Sequence, residues 1–219
     1  MTPIYYERHL PHWHPPGGTF FITYRLHSSI PQHLLNEIRQ ATEQELLAVK
    51  KVCLDQALLP AELHQFQTRY FGLYDQALDR NLNEPFWLKS PDVAQEVFNS
   101  LAFIGEAEAD IWAFTIMSNH VHVLLTHKPT KRPLFRLLQS HKGFTARQCN
   151  KILGRNGTFW QAESYDHLVR KDGEFARIVR YILKNPVKAK LAAKWSDWPW
   201  TFLHPSLECT VDFEIRQRP

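Results

Sequence analysis

ADIWAFTIMSNHVHVLLTH, residues 109–127, is the stretch from which the rest of the chain can be placed. Residues 109–118 read as one strand and 119–127 as a second, both rich in β-branched and aromatic side chains. The polar Ser118–Asn119 pair between them predicts a hairpin. Residues two apart on a strand share a face, so His120 and His122 point the same way. They are either metal ligands or two core histidines. With 12 His in the chain, that spacing alone does not decide between them.

Working outward, GGTFFITYRL (17–26) reads as a strand after a Gly-Gly turn. Residues 31–59 read as helical, with Pro31 near the start, and 60–90 as mixed. SPDVAQEVFNSLAF (90–103) is a helix with Ser90 as N-cap and Pro91 at its first position. Downstream, 132–153 is a basic helix, GRNG (154–157) a turn and 158–170 a strand. Residues 172–185 form a helix capped by Asp172 and stopped by Pro186. Without a helical insertion at about 30–90, the order is β-α-β-β-α-β and one more helix. This is the α+β, ferredoxin-like split β-α-β plan, with helices on one face of the sheet and the other face open. The prediction is a single domain over 1–219, with an aromatic tail at about 195–219.

No stretch is long and apolar enough to span a membrane, and the N-terminus lacks a basic-then-apolar signal pattern. A cytoplasmic location is expected. Cys53, Cys149 and Cys209 show neither zinc spacing nor a disulfide framework. The charge is uneven. Residues 128–194 hold 16 Lys and Arg against 4 Asp and Glu, a net +12, whereas the remainder holds 10 basic and 18 acidic residues, a net −8. A polyanion partner for that basic segment is expected; the alternative is helices with solvated basic faces.

Two further features carry chemistry. His12 and His14, in PHWHPPGG, repeat the His-x-His spacing. They lie in a Pro-rich terminal segment with no strand to orient them, so irregular packing on the sheet is expected, the alternative being a metal site. In RYILKNPVKAKL (180–191), Phe175, Ile178, Val179, Ile182 and Leu183 form the apolar stripe of a helix, and Tyr181 projects outside it. Asn185, one turn on, is its neighbour. A tyrosine there, amid Arg177, Arg180 and Lys184, is either a nucleophile at a phosphate or an ordinary boundary residue.

Taken in order, MSNHVHVLL (117–125), WQAESYDHLVR (160–170), YILKNPVKAKL (181–191) and SDWPWTF (196–202) resemble the HUH single-strand transposases with one catalytic tyrosine. Within them, the chain is similar to the REP-associated tyrosine transposases. The resemblance covers most of residues 17–203 and is least distinctive at 30–90. It implies that His120 and His122 bind one divalent metal, Mg²⁺ or Mn²⁺, that Tyr181 is the nucleophile, and that Asn185 is the third ligand, an Asn where some relatives have Gln. It further implies nicking and joining of single-stranded DNA beside a hairpin through a 5′-phosphotyrosine, with no nucleotide cofactor, by a monomer or homodimer.

Candidate phosphate contacts are Arg147, Arg155, Arg170, Lys171, Arg177 and Lys188. Tyr165 is a rival nucleophile, and Asp166 and His167 are metal ligands or strand-edge polar residues. Trp160 and Gln161 fix the sheet or contact DNA. At least two of Trp195, Trp198 and Trp200 are expected in the core, the alternative being stacking on bases. The alternatives to the enzyme are a DNA-binding module without catalysis and a metal-dependent phosphoesterase that uses water.

Overall fold

The structure is a computed structural model that describes residues 4–7, 10–52, 59–80, 85–128, 132–171 and 173–208. Cys53, Cys209 and Asp172, the expected helix cap, lie outside these residues. The N-terminal segment corrects the expectation of irregular packing. β1 (Ile4–Glu7) and β2 (Pro11–His14) pair antiparallel, with Ile4 opposite His14 and Tyr6 opposite His12. Pro11 opens its strand, where a missing N–H is tolerated. The two-residue period then sends His12 and His14 to one face, and both are buried. The chain turns through Gly17, at φ +70°, into β3 (Thr19–Arg25).

The described part of the insertion is mainly helical. The helix expected over 31–59 divides into α1 (Gln32–Ala41) and α2 (Glu43–Val52). The break falls at Thr42, whose hydroxyl donates back to the Ile38 carbonyl at 2.9 Å, a local bond that competes with helix continuation. Residues 60–90, expected to be mixed, contain α3 (Leu59–Arg80). Its buried residues Leu59, Leu63, Phe66, Tyr70, Tyr74 and Leu78 recur every three or four positions, as an amphipathic helix requires.

α4 (Pro91–Ala107) starts as expected, with Ser90 at the N-cap and Pro91 at its first position. β4 (Ala109–Ile116) and β5 (His120–His127) form the hairpin. α5 (Leu134–Ile152), β6 (Tyr165–Leu168), α6 (Glu174–Lys188) and β7 (Thr201–Leu203) follow. The five-stranded antiparallel sheet runs β6-β3-β5-β4-β7. Its first four positions are the ferredoxin-like order, and β7 extends the edge beside β4.

A bulge at Trp112 resets the alternation of β4 between Ile111 and Ala113. α4 and α5 pack on one face, over Phe20, Ile22, Tyr24, Val121, Val123 and Phe114. The opposite face, expected open, is covered by α6 and α3 over Phe21, Leu124 and Tyr165. That is the face onto which His120 and His122 project. α6 also runs past Pro186 to Lys188, because a proline in the last turn costs only one helical hydrogen bond.

His141 of α5 is buried between the Tyr24 hydroxyl (2.7 Å) and Ser100 Oγ (2.8 Å). Burial, aided by Lys142, lowers its pKa to about 3. The unfolded chain takes up this proton near pH 6.5, so the unfolded state binds more protons between about pH 6.5 and 3. Stability therefore falls as pH falls through that window. At pH 4 the loss from His141 relative to pH 7 is about 3 kcal/mol. Urea unfolding at the two pH values should show this difference shrinking by that amount in His141→Gln; an unchanged pH slope would refute the assignment.

Candidate active site

β5 carries His120 and His122 on the α6-facing side, opposite Arg25 and Thr23 of β3 respectively. Asn119, at the hairpin turn, places Oδ1 2.6 Å from His120 Nδ1. An amide oxygen only accepts, so His120 Nδ1 donates, and in the neutral ring Nε2 then carries the lone pair. Thr23 Oγ1 holds His122 Nδ1 at 2.7 Å. The two Nε2 atoms then face each other at 3.0 Å. Burial first, then His120 and Lys188, push the His122 pKa well below its ordinary value. A neutral imidazole pair is the form that accepts a metal.

α6 brings Tyr181 over this pair, its ring 5.2 Å from that of His122 and packed edge-on against Phe21 and Phe71. The hydroxyl lies 3.4 Å from His122 Nε2 and donates a short hydrogen bond to Asp75 Oδ1. Asp75 comes from α3, and Lys188 Nζ lies 3.8 Å from its other oxygen. Asp75 was not foreseen. It is one acid in a segment read as mixed, and only the face periodicity of α3 could have pointed to it. Asn185 is buried one turn beyond Tyr181. Its amide donates to the Tyr181 carbonyl at 3.2 Å, and its Oδ1 is buried without a hydrogen-bond partner.

The rival tyrosine is placed differently. Tyr165 is buried on β6, its hydroxyl donates to the Gln67 carbonyl at 3.2 Å, and burial raises its pKa well above the ordinary value. His167 is held by Gln67 (3.1 Å) and Glu174 (2.9 Å), close to His64. Asp166 faces His12 and His14. Trp160 is buried and donates to Thr145 Oγ1 at 2.9 Å. The Gln161 backbone N–H donates to the Arg25 carbonyl. Trp195 and Trp200 pack at the margins of the two cores, and Trp198 donates to the Ile116 carbonyl.

The six basic residues divide in the same way. Arg147, Lys171, Arg177 and Lys188 are exposed, and Lys188 is the one beside Tyr181's partner Asp75. Arg155 stacks 3.7 Å from the Trp87 ring centre and binds Asn150. Arg170 lies over Trp13 and donates to the Pro60 carbonyl. These two are committed to internal contacts.

A sheet of this order carries a His pair, a facing tyrosine and a buried amide, and residues 87–185, a little under half of the chain, match the class described as "Transposase IS200 like". Within that class the chain is similar to the REP-associated tyrosine transposases. A Haemophilus influenzae protein provisionally named as one is 28% identical over 108 residues, which are 45% of this chain and 61% of that protein. The match thus spans about three-fifths of the curated relative's length. A solved REP-associated tyrosine transposase bound to a REP hairpin shares the fold, with a TM-score of 0.51 and 17% identity over 98% of this chain and 87% of the other. Among the described residues, no helix is long and apolar enough to cross a membrane.

Proposed function

We propose that the chain nicks and rejoins single-stranded DNA beside a REP-like hairpin through a 5′-phosphotyrosine on Tyr181. The observation that carries this is the meeting, within one chain, of the Tyr181 hydroxyl, the Asp75 carboxylate and the His120–His122 pair. The same geometry supports attack by Tyr181 at its own chain's histidines.

The residues present fit a divalent metal. Two neutral imidazole nitrogens 3.0 Å apart repel unless a cation or proton is shared, and Asn185 Oδ1 is a buried acceptor without a donor. His120, His122 and Asn185 would hold Mg²⁺ or Mn²⁺, which when bound supplies positive charge to a non-bridging phosphate oxygen. The chain's own groups do the rest. Tyr181 gives its proton to Asp75. The phenolate oxygen attacks phosphorus, the bond to the 3′ oxygen breaks, and that oxygen leaves as a hydroxyl with the proton that Asp75 took up. The 5′ phosphate stays esterified to Tyr181. A second 3′ hydroxyl then gives up its proton and attacks phosphorus, the bond from phosphorus to the Tyr181 oxygen breaks, and that oxygen takes up the proton. One phosphodiester is exchanged for another, so no nucleotide cofactor is needed. Arg147, Lys171, Arg177 and Lys188, in the +12 segment, supply salt-dependent affinity for the strand.

The test is a denaturing gel of the protein with labelled single-stranded hairpin DNA, in Mn²⁺ or EDTA. A metal-dependent protein–DNA band is expected. Cleaved DNA with no adduct would favour water as nucleophile, and binding with neither product would favour a module without catalysis. Asn185→Ala should raise the Mn²⁺ concentration needed for half-maximal adduct by about tenfold or more, the scale of weakened ligand sets. An unchanged requirement removes Asn185 from the ligand set.

A further inference from the structure

Beside the edge strand β6, on the α5 side of the sheet and two strands from β5, lies a second cluster. His12 Nδ1 makes a short contact with Asp166 Oδ1, His12 Nε2 lies 2.7 Å from Glu163 Oε1, and His14 Nε2 lies 2.5 Å from Asp166 Oδ2. His12, His14 and Asp166 are each more than nine-tenths buried, and each offers a ligand atom to a common point. We propose that this cluster is a binding site for a divalent transition metal of the zinc class, which fastens the β1–β2 hairpin to the edge strand β6.

Three observations support it. First, the donor set is right: two imidazoles and one carboxylate suit Zn²⁺ and its neighbours, and not the oxygen-preferring Mg²⁺. Second, Glu163 stands where a ligand's outer partner stands. With His12 Nδ1 on the ion, His12 Nε2–H donates to Glu163, which fixes the ring. Third, His14 Nδ1 is buried with no partner. The hydrogen-bond network thus leaves over one buried polar atom that it does not by itself account for.

The charges agree. Without metal, both His12 nitrogens face carboxylates and must donate, so one imidazolium stands against two carboxylates. A divalent ion displaces the proton between His12 Nδ1 and Asp166 and neutralises both acids. A tetrahedral set at about 2.0–2.1 Å has ligand atoms about 3.3 Å apart, so the ion enters by parting these side chains. It has room to do so, since the cluster borders a cavity of about 360 Å³ also lined by Tyr6, Phe135 and Trp160.

The hairpin gains most from such a link. It is a two-stranded sheet outside the main one, and two strands alone are marginal in water. His12 and Asp166 lie 154 residues apart, so a metal between them closes a long loop.

The experiment is equilibrium dialysis with Zn²⁺, after chelator treatment, on the wild type and on His120→Ala/His122→Ala. The double variant should bind one Zn²⁺ per chain and melt several degrees higher with it. Adding Glu163→Gln should weaken binding about 10–100-fold, and adding His14→Ala should abolish it. Circular dichroism verifies that each variant folds, and His12→Gln stands in should His14→Ala fail to. No binding by the double variant overturns the proposal, as does binding that survives His14→Ala and is lost only on replacing His64 or His167. Equal stoichiometry in the wild type and the double variant would count against a metal at His120 and His122 while leaving this site standing.

Discussion

Tyr181→Phe is expected to abolish both DNA cleavage and the covalent adduct, a loss of about 10⁴-fold or more, on the scale of deleting a covalent nucleophile. Hairpin affinity should stay within about twofold, because the ring remains packed against Phe21, Phe71 and His122 and only the hydroxyl is lost. Cleavage and native-gel binding measured on the same preparation separate the two effects. Residual cleavage near the wild-type rate would mean that another group attacks. Tyr165 is the poorer substitute, since its hydroxyl is buried on a backbone carbonyl.

Asp75→Asn has the second large effect. The carboxylate is the acceptor for the Tyr181 proton, and an amide cannot take that proton. A fall of about 10²–10⁴ in the single-turnover rate of adduct formation is expected at pH 7, the usual worth of a placed base. The diagnostic is the pH profile. The variant's rate should climb towards pH 10, where a phenol ionises unaided, and close part of the gap to wild type. A loss that is equal at every pH would assign Asp75 to holding Tyr181 and Lys188 in place, and no loss would remove it from the mechanism.

Much of this arrangement was readable from residue order. The hairpin at 109–127 followed from two β-rich runs around Ser118–Asn119, and the ferredoxin-like order followed once the flanking helices were placed. The proximity of Tyr181 to Asn185 was a matter of helical spacing. Three things escaped. The repeat that makes α3 a helix is carried by Leu, Phe and Tyr interleaved with Gln, His and Gly72, so its apolar face is faint. Asp75 was lost with it. The strand that orients His12 and His14 needs its partner Ile4–Glu7, four residues too short and too polar at the end to announce a strand. The covering of the second sheet face is a tertiary outcome of α3 and α6 packing together, which no local pattern encodes.

The helical insertion can be deleted from a drawing of the sheet without disturbing a single strand connection, yet it delivers the carboxylate on which Tyr181 rests. The proposed reaction thus rests on a two-key arrangement, with one key in the sheet scaffold and the other in an appendage. A chain pared to its strands and crossover helices would keep its imidazoles and its tyrosine and lose the carboxylate that the tyrosine hydroxyl meets. Efforts to shrink this protein should therefore trim elsewhere and leave α3 in place.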